Sequence, residues 1–402
     1  MTDIFQRFGI SRVVNATGTV TRLGASPIDP EVVAAMAAAA QCSVDIAELQ
    51  ARASAVISRS TGAEAGIVTS GAMAGLLVGS AACMAGFDAV RMGKLPDTDG
   101  MRNEFIVSRS HRNSYDHGVR AAGGRLVEVG LPDRLTGCGV RDTEAWEIEG
   151  AISDRTAGIL YLARTDSRPD LADVVRVAHA ADIPVLVDAA AELPPAANLR
   201  RFIEQGADLV VFSGGKGIGG PSASGILCGR RRLVASALLQ QLDLDFVSED
   251  WQPPATLIDK RDLRGVPRHG IGRGCKVGKE QIVGLLTALM RFTREDDATR
   301  NKRFAAIVES LLGALRKFSG LKVRTITDAG HGGMPLLEIS IATDQGSGPD
   351  AQEIAARLRA GSPPVHVDST NADAGILILV PTCLAADDTA VIGSAFAAAL
   401  KA

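Results

Sequence analysis

The sequence predicts an α/β protein, in which a mainly parallel, doubly wound sheet domain is followed by a smaller α+β domain. Short runs that are apolar throughout recur along the first half of the chain, as expected of strands covered on both faces of a parallel sheet. Helical patterns lie between several of these runs, which is the alternation of a doubly wound fold. The predicted strands are residues 66–69, 105–107, 126–129, 158–162, 185–187 and 209–212.

The chain changes character after residue 245. The segment 245–274 is rich in proline, glycine and arginine, which predicts an irregular connection. The elements predicted beyond it are a long helical segment at 279–318, a strand at 336–341, a helix around 350–360 and a strand at 375–380. We therefore predict three parts, which are an N-terminal segment that contributes to the small domain and the functional site (1–44), the large domain (45–245), and the connection with the small domain (246–402).

Length and charge exclude some classes of partner. The 402 residues are enough for two domains. The net charge is −3 and both signs are mixed along the chain, so we expect neither a nucleic-acid partner nor a membrane surface. The stretch 67–87 has no charged residue and the length of a membrane span, but it contains four glycines, two serines and a threonine. We interpret it as a buried strand, a tight turn and a buried helix.

The cysteines and the N-terminus predict a cytoplasmic protein. No two cysteines form a CxxC pair, so they are interpreted as reduced thiols. The first residues carry charge early and lack the long apolar core of a signal peptide. The histidines are dispersed without carboxylates at metal-ligand spacing, and no metal site is expected. The six cysteines are Cys42, Cys83, Cys138, Cys228, Cys275 and Cys383.

A turn of small residues follows the first predicted strand. Ser70, Gly71, Ala72 and Met73 end that strand and open a predicted helix. Small residues let backbone N–H groups approach a phosphate, and the start of a helix attracts an anion. A plain strand–helix turn has the same pattern, so this turn alone does not show that a phosphate binds here.

Two charged residues follow later strands. Asp188 comes directly after the run 185–187, where a buried carboxylate must be paired, solvated or functional; a helix cap is the alternative. Lys216 lies in the glycine-rich loop 213–221, where partial desolvation favours a nucleophilic amine. A phosphate-binding lysine of the P-loop type is the alternative, but no Ser or Thr follows it and the GxxxxGK spacing is absent.

The three features together are far more specific than each alone. Pyridoxal 5'-phosphate (PLP) needs a phosphate cradle, an acid beside its pyridine nitrogen and a lysine that forms a Schiff base. The turn at 70–73, Asp188 and Lys216 occur in that order, with the acid and the lysine on successive predicted strands. The sequence therefore predicts a PLP site.

Several segments resemble a known family. They are residues 14–24, 69–74, 110–116, 187–190, 213–221 and 272–280. Together they resemble the selenocysteine synthase-like and D-glucosaminate-6-phosphate ammonia-lyase-like family of fold-type I PLP enzymes, over essentially the whole chain to about residue 285. The resemblance implies the aspartate-aminotransferase-like fold.

The resemblance also implies roles for single residues. Lys216 would hold the cofactor as a Schiff base and move the α-proton of the substrate, and Asp188 would pair with the pyridine nitrogen. His111 would stack on the ring, although the sequence alone fits a surface histidine equally well. The residues assigned to the rest of the cofactor are Ser70, Gly71, Ala72 and Met73 at the phosphate, with the Ser213 hydroxyl.

Basic residues are the candidates for substrate binding. Arg273, Lys276 and Lys279 form a cluster that suits a substrate carboxylate or phosphate, including one across a dimer interface. A solvated basic loop is the alternative. Arg22, in the N-terminal motif, is a further candidate of the same kind.

The predicted reaction is the removal of ammonia, by α,β-elimination, from a small hydroxy amino acid or an amino-sugar acid such as D-glucosaminate 6-phosphate. Racemase and aldolase activities stay open. A cysteine desulfurase would need a nucleophilic cysteine such as Cys275. Selenium transfer on aminoacyl-tRNA is disfavoured by the acidic balance and the lack of an added N-terminal domain. A non-catalytic PLP-binding protein is the remaining alternative, and at least a homodimer is expected.

Overall fold

The computed structural model describes residues 4–131, 142–247, 249–341 and 348–401. The chain forms two compact units, a larger one of Ile28–Arg294 and a smaller one of Met1–Pro27 with Glu295–Ala402. These divisions lie elsewhere than the predicted ones at 44/45 and 245/246. The reason is that helices Pro30–Ala40 and Lys279–Arg294 pack on each other and so belong to the same unit.

The elements are numbered here in chain order. The strands are β1 (Val14–Ala16), β2 (Ala65–Thr69), β3 (Glu104–Ser108), β4 (Arg125–Val129), β5 (Thr156–Leu162), β6 (Val185–Asp188), β7 (Leu209–Ser213), β8 (Gly225–Gly229), β9 (Leu321–Asp328), β10 (Met334–Ile341), β11 (Val365–Val367) and β12 (Ile376–Leu379). The α-helices are α1 (Pro30–Ala40), α2 (Ile46–Thr61), α3 (Ala72–Ala85), α4 (Ala89–Lys94), α5 (His117–Ala121), α6 (Ala145–Ala151), α7 (Leu171–Ala180), α8 (Asn198–Glu204), α9 (Arg231–Gln241), α10 (Lys279–Arg294), α11 (Asp297–Leu315), α12 (Ala351–Ala360) and α13 (Asp388–Ala399).

Within the described residues, the larger unit contains a seven-stranded sheet in the order β2-β8-β7-β6-β5-β3-β4. Among these strands only β8 runs against the others. Successive residues of β6 point into different cores, since Val185 and Val187 belong to one cluster and Leu186 to the other. This burial on both faces explains why the strands are apolar throughout. The predicted mainly parallel, doubly wound sheet is confirmed.

The uncharged stretch 67–87 is the strand β2, a turn and the helix α3. Strand β2 is buried over its whole length, and α3 packs closely on the sheet. A Cβ atom at Gly75 would lie 3.0 Å from Val211 on β7, so a glycine permits this approach. No helix among the described residues is long and apolar enough to cross a membrane.

The smaller unit holds a three-stranded antiparallel sheet, β12-β10-β9, and the parallel pair β1-β11. Its core includes Leu311 of α11, Ile354 of α12 and Phe396 of α13. The prediction of a single helical segment at 279–318 is wrong in one respect, because this segment forms two helices, α10 and α11. Asp296 begins α11 by accepting a hydrogen bond from the Thr299 N–H (2.6 Å), and the division between the units falls beside it.

The described cysteines are free thiols, and Cys138 lies outside the described residues. Burial raises the pKa of both Cys83 and Cys228 to about 12, so these two thiols stay protonated and unreactive at neutral pH.

A buried glutamine covers the outer side of the edge strand β2. The Gln50 amide donates to the Val68 carbonyl (2.8 Å) and accepts from the Val68 N–H (2.9 Å). We expect Gln50→Leu to lower the free energy of unfolding by about 2–4 kcal/mol, because both backbone groups lose their partner. Urea denaturation would measure the loss. Arg52→Leu, at an exposed position of the same helix, should change it by less than about 0.5 kcal/mol, and equal effects of the two substitutions would contradict this role.

Candidate active site

Three of the sequence-predicted residues lie at one edge of the large sheet. Strands β3, β5, β6 and β7 are parallel neighbours, so their carboxyl ends meet at that edge. His111 ends the short 3-10 turn after β3, Asp188 is the last residue of β6, and Lys216 follows β7 in the glycine-rich loop. This edge is where open α/β sheets bind their ligands.

Asp188 supplies a buried negative charge. The residue is only 5% exposed, and its carboxylate accepts a hydrogen bond from the Ala190 N–H (3.1 Å). Burial raises the pKa of Asp188, while that hydrogen bond and the nearby Lys216 ammonium oppose the rise. A carboxylate in such a place is stabilised by a cation or a protonated nitrogen beside it.

The loop that carries Lys216 is fixed by backbone packing. A Cβ atom at Gly217 would lie 2.1 Å from the Leu193 carbonyl oxygen, and one at Gly215 would lie 2.7 Å from the Ser222 Cα. Larger residues at these two positions would therefore displace main chain. Lys216 itself is half-buried. The close packing holds its backbone beside the end of β6, and its charge acts on Asp188.

His111 is a buried, neutral ring. It is 4% exposed, and it meets the Tyr161 ring edge to face with 4.9 Å between the centroids. Burial is the main reason that its pKa is lowered to about 4. Its Nε2 atom is buried and has no hydrogen-bond partner among the described residues. Such a nitrogen is typical of a position where a ligand supplies the missing partner.

The turn before α3 is open to an anion. Gly71 has φ = 128°, and a Cβ atom there would meet nothing within 4 Å. No side chain caps α3 and no acidic residue lies in its first turn, so the N–H groups of Ala72 and Met73 are at a positive helix end. The Ser70 hydroxyl donates to the Cys275 carbonyl (2.9 Å), so its proton is already used.

Ser213 is brought to this turn by β8. Ser213 on β7 pairs with Gly225 on β8, and a Cβ atom at Gly225 would lie 2.6 Å from the Gly71 carbonyl carbon. The glycine thus lets β8 run against the turn. Ser213 and the start of α3 consequently lie on the same side of the sheet edge.

These residues fit PLP. The uncapped start of α3 suits the phosphate, buried Asp188 suits a protonated ring nitrogen, and the buried, neutral ring of His111 suits an aromatic ring beside it. Lys216 is the amine beside them.

The predicted substrate-binding cations are not equivalent. Arg273 pairs with Asp243, and Lys279 donates to Glu280 (2.7 Å), so both already have a carboxylate. Lys276 is exposed and makes no ion pair with a described residue. The segment 273–279 is tied to the phosphate turn through the Cys275 carbonyl. Arg22 lies in the smaller unit, exposed on a 3-10 turn, where its charge helps to lower the pKa of His366.

A polar group beside His111 was not predicted from the sequence. With His111 it lines a cavity of about 190 Å³; the other lining residues are Ser110, Asp142, Arg164, Asp166, Ser167 and Arg168. The run 164–168 follows β5 directly, at the same sheet edge as Asp188. The high proportion of polar residues in this run, directly after an apolar strand, is the sequence signal that would have indicated this polar group.

The comparisons with known proteins decide the family. The family model SelA, described as L-seryl-tRNA selenium transferase, matches residues 13–245, which is more than half of the chain. The chain belongs to this family. It is 31% identical to the D-glucosaminate-6-phosphate ammonia lyase of Salmonella typhimurium, over 97% of this chain and 96% of that protein.

Other relatives have different activities. A 5'-C-glycyluridine monooxygenase-decarboxylase of Streptomyces is also 31% identical, over 95% of this chain and 88% of the relative. The L-seryl-tRNA(Sec) selenium transferase of Aquifex aeolicus is 27% identical, over 89% of this chain and 77% of the relative. Membership of the family therefore does not determine which reaction this chain catalyses.

A solved structure of a D-glucosaminate-6-phosphate ammonia-lyase matches with a TM-score of 0.80 and 29% identity, covering 99% of this chain and 98% of that one. A Bacillus subtilis ureidoglycine-glyoxylate aminotransferase matches with a TM-score of 0.56 and 12% identity, covering 97% and 92%, which shows the fold alone. The predicted family, the aspartate-aminotransferase-like fold (PLP fold type I) and the PLP-dependent enzyme class are confirmed.

The depressed pKa of His111 makes a testable contribution to stability. An unfolded histidine titrates near pH 6.5 and His111 in the fold at about 4. The unfolded chain therefore binds the proton first as the pH falls, and between these values the cofactor-free enzyme should lose up to about 3 kcal/mol of unfolding free energy through His111. In urea denaturations at pH 7 and 4.5, His111→Phe should lack this component.

The exposed His117 provides the matched control for that series. His117→Phe should keep the full loss of stability between the two pH values. If His111→Phe shows the same pH dependence as the unchanged enzyme, the buried neutral state of His111 is refuted.

Proposed function

We propose that this protein is a PLP-dependent ammonia lyase, which removes ammonia by α,β-elimination from a hydroxy amino acid or an amino-sugar acid of the D-glucosaminate 6-phosphate type. The observation that carries the proposal is the full-length similarity to an ammonia lyase, at 31% identity. The buried Asp188 beside Lys216 supports the same reaction, because a lyase of this kind needs both groups.

When bound, PLP with a protonated ring nitrogen accepts the electron pair left by the substrate's Cα–H bond. Asp188 stabilises that positive nitrogen, since its own charge is buried and needs a cation. Ser213 and the N–H groups of Ala72 and Met73 hold the phosphate. His111, neutral and buried, covers one face of the ring and excludes water there.

Lys216 is the covalent anchor of the cofactor and the proton carrier. When its Nζ atom is not bound to the cofactor, it would take the substrate's α-proton and return a proton to the departing β-hydroxyl. The packed glycines beside it keep that amine within the site during both transfers. Overall, one water leaves and one is added back, so the products are a 2-oxo acid and ammonia.

A decarboxylating oxidation is a second candidate, because the relative named as a monooxygenase-decarboxylase is equally similar at 31% identity. The two reactions differ in their products. The lyase gives ammonia and a 2-oxo acid without consuming oxygen, whereas the second reaction gives carbon dioxide and consumes oxygen. A panel of D- and L-hydroxy amino acids and amino-sugar acids, followed for ammonia, 2-oxo acid, carbon dioxide and oxygen, decides between them.

We further propose a cytoplasmic protein that forms at least a homodimer. The free thiols agree with a reducing compartment. Exposed Phe246 and Lys276 line one cavity of about 570 Å³, which joins an apolar surface to the basic segment. Light scattering on the purified protein would measure the assembly, and a monomer would contradict the dimer.

Under this proposal, one basic residue is preferred as the binding partner of the substrate's anionic group. Lys276, which lacks an ion pair within the described residues, is a better candidate than Arg273 or Lys279, whose charges are balanced by carboxylates. Arg22 remains a candidate from the smaller unit.

Lys216 gives the first test of the cofactor site. The purified protein should absorb visible light, and borohydride reduction should fix the cofactor on the peptide that contains Lys216. Lys216→Ala should lower turnover by at least about 10²–10⁴-fold, because both the anchor and the proton carrier are lost. Lys322→Ala, at an exposed position of β9, should leave absorbance and turnover unchanged. A colourless protein whose absorbance does not respond to added PLP would contradict the proposed cofactor site.

Asp188→Asn tests the buried charge. The raised pKa means that Asp188 contributes stability at low pH and loses it as the pH rises through the folded value. At pH 7, the cofactor-free Asp188→Asn variant should therefore melt at a higher temperature than the unchanged chain, yet bind PLP more weakly and turn over more slowly. The exposed Asp182→Asn is the control and should change none of these. A less stable cofactor-free Asp188→Asn would overturn the desolvation argument.

A further inference from the structure

The cavity beside His111 is lined by polar and charged side chains alone, among the described residues. Its volume of about 190 Å³ equals roughly six water molecules at ~30 Å³ each. An apolar substrate chain would leave the polar groups of these side chains without partners. The lining thus selects for a polar occupant of a few heavy atoms.

The cavity adjoins the position of the cofactor ring. Leu162 of β5 pairs with Asp188, and the Ala163 N–H donates to the Asp188 carbonyl (2.9 Å). The cavity-lining run 164–168 follows at once, held by the Ser167 hydroxyl, which donates to the Leu162 carbonyl (2.6 Å). A substrate bound at Lys216 therefore has this cavity one strand away.

His111 forms a wall of this cavity and offers an unused polar atom. The side chain is more than nine-tenths buried, and its Nε2 has no partner among the described residues. The low pKa keeps the ring neutral, so the nitrogen can accept from or donate to a neutral hydroxyl group.

Both arginines of the cavity already have a carboxylate partner. Arg164 donates two hydrogen bonds to Asp166 (3.0 and 3.1 Å), and Arg168 pairs with Asp170. The Ser110 hydroxyl donates to Asp142 (3.0 Å). A phosphate or carboxylate would meet the Asp142 and Asp166 carboxylates, which repel it, and Asp166 already holds the Arg164 guanidinium. Neutral hydroxyls can donate to those carboxylates and accept from the guanidinium, which leaves the pair intact.

We propose that this cavity is a subsite for the hydroxyl-bearing carbon chain of the substrate, with Arg164 and Asp166 as the specificity-determining pair. The inference rests on the proposed function and deepens it. The preferred substrate is a 2-amino acid with several neutral hydroxyl groups beyond the β-carbon. Whatever anionic group it carries is bound outside this cavity.

The test compares substrates that share the leaving β-hydroxyl and differ in the remaining chain. D-Glucosaminate carries hydroxyls along that chain, and 2-amino-3-hydroxyhexanoate of the same configuration lacks them. We expect the holoenzyme to favour D-glucosaminate by at least about 100-fold in kcat/KM, because polar walls are left unpaired by the second compound. A preference below threefold overturns the proposal.

The double variant Arg164→Leu/Asp166→Leu removes the pair without leaving a lone charge. It should reduce the preference to within threefold, and it should do so mainly by lowering kcat/KM for D-glucosaminate. A merely structural pair would lower both values together. The matched control is Arg261→Leu/Asp259→Leu, an exposed arginine–aspartate pair that does not line the cavity, and it should keep the full preference.

Calorimetric binding separates failure of this inference from failure of the lyase proposal. If no hydroxy amino acid or amino-sugar acid of the panel releases ammonia, the lyase proposal fails, and the subsite is still judged by whether the holoenzyme binds D-glucosaminate more tightly and the double variant does not. Equal binding of both compounds by the holoenzyme overturns the subsite.

Discussion

The buried carboxylate of Asp188 is the constraint on which the site depends. A charge at the end of a strand that is covered on both sides is costly unless a cation lies near it. The fold provides one such cation by placing Lys216 on the loop after the neighbouring strand, and its charge lowers the cost only in part. The site is therefore strained electrostatically in a way that a positively charged cofactor nitrogen relieves. The same buried charge therefore favours binding of the cofactor and destabilises the cofactor-free fold.

Much of this arrangement was accessible from the sequence, because it depends on local patterns. Strands buried on both faces are apolar throughout. A lysine between glycines and an aspartate at the end of a strand are likewise recognisable in the sequence. The break between α10 and α11 was missed because residues 279–318 keep a helical pattern across Asp296, whose capping role needs coordinates. Strand β8 was missed because it is a short run that returns antiparallel to β7. The pairing of β8 joins separate segments of the chain, whereas the capping bond of Asp296 joins residues only three apart.

The chemistry around His111 was the least accessible from sequence. A histidine in a polar motif gives no sign of its burial, and the sequence fitted a surface loop equally well. Its neutral state follows from the packing of Tyr161 against it and from desolvation, which are properties of the fold. The same holds for the balanced pairs of the neighbouring cavity, since Asp142 reaches Ser110 only because the chain returns there.

The glutamine that covers β2 has a consequence for how this protein meets other chains. An open sheet exposes unpaired backbone groups at its two outer strands, and these are the usual points for strand addition and aggregation. At β2 the Gln50 amide already uses the groups of Val68. At the opposite edge, β4 carries Arg125 and Glu128, and Glu128 is held in ion pairs with Arg109 and Arg112. Extension of the sheet from one molecule to the next is thus discouraged at both ends, and self-association is directed to side-chain surfaces.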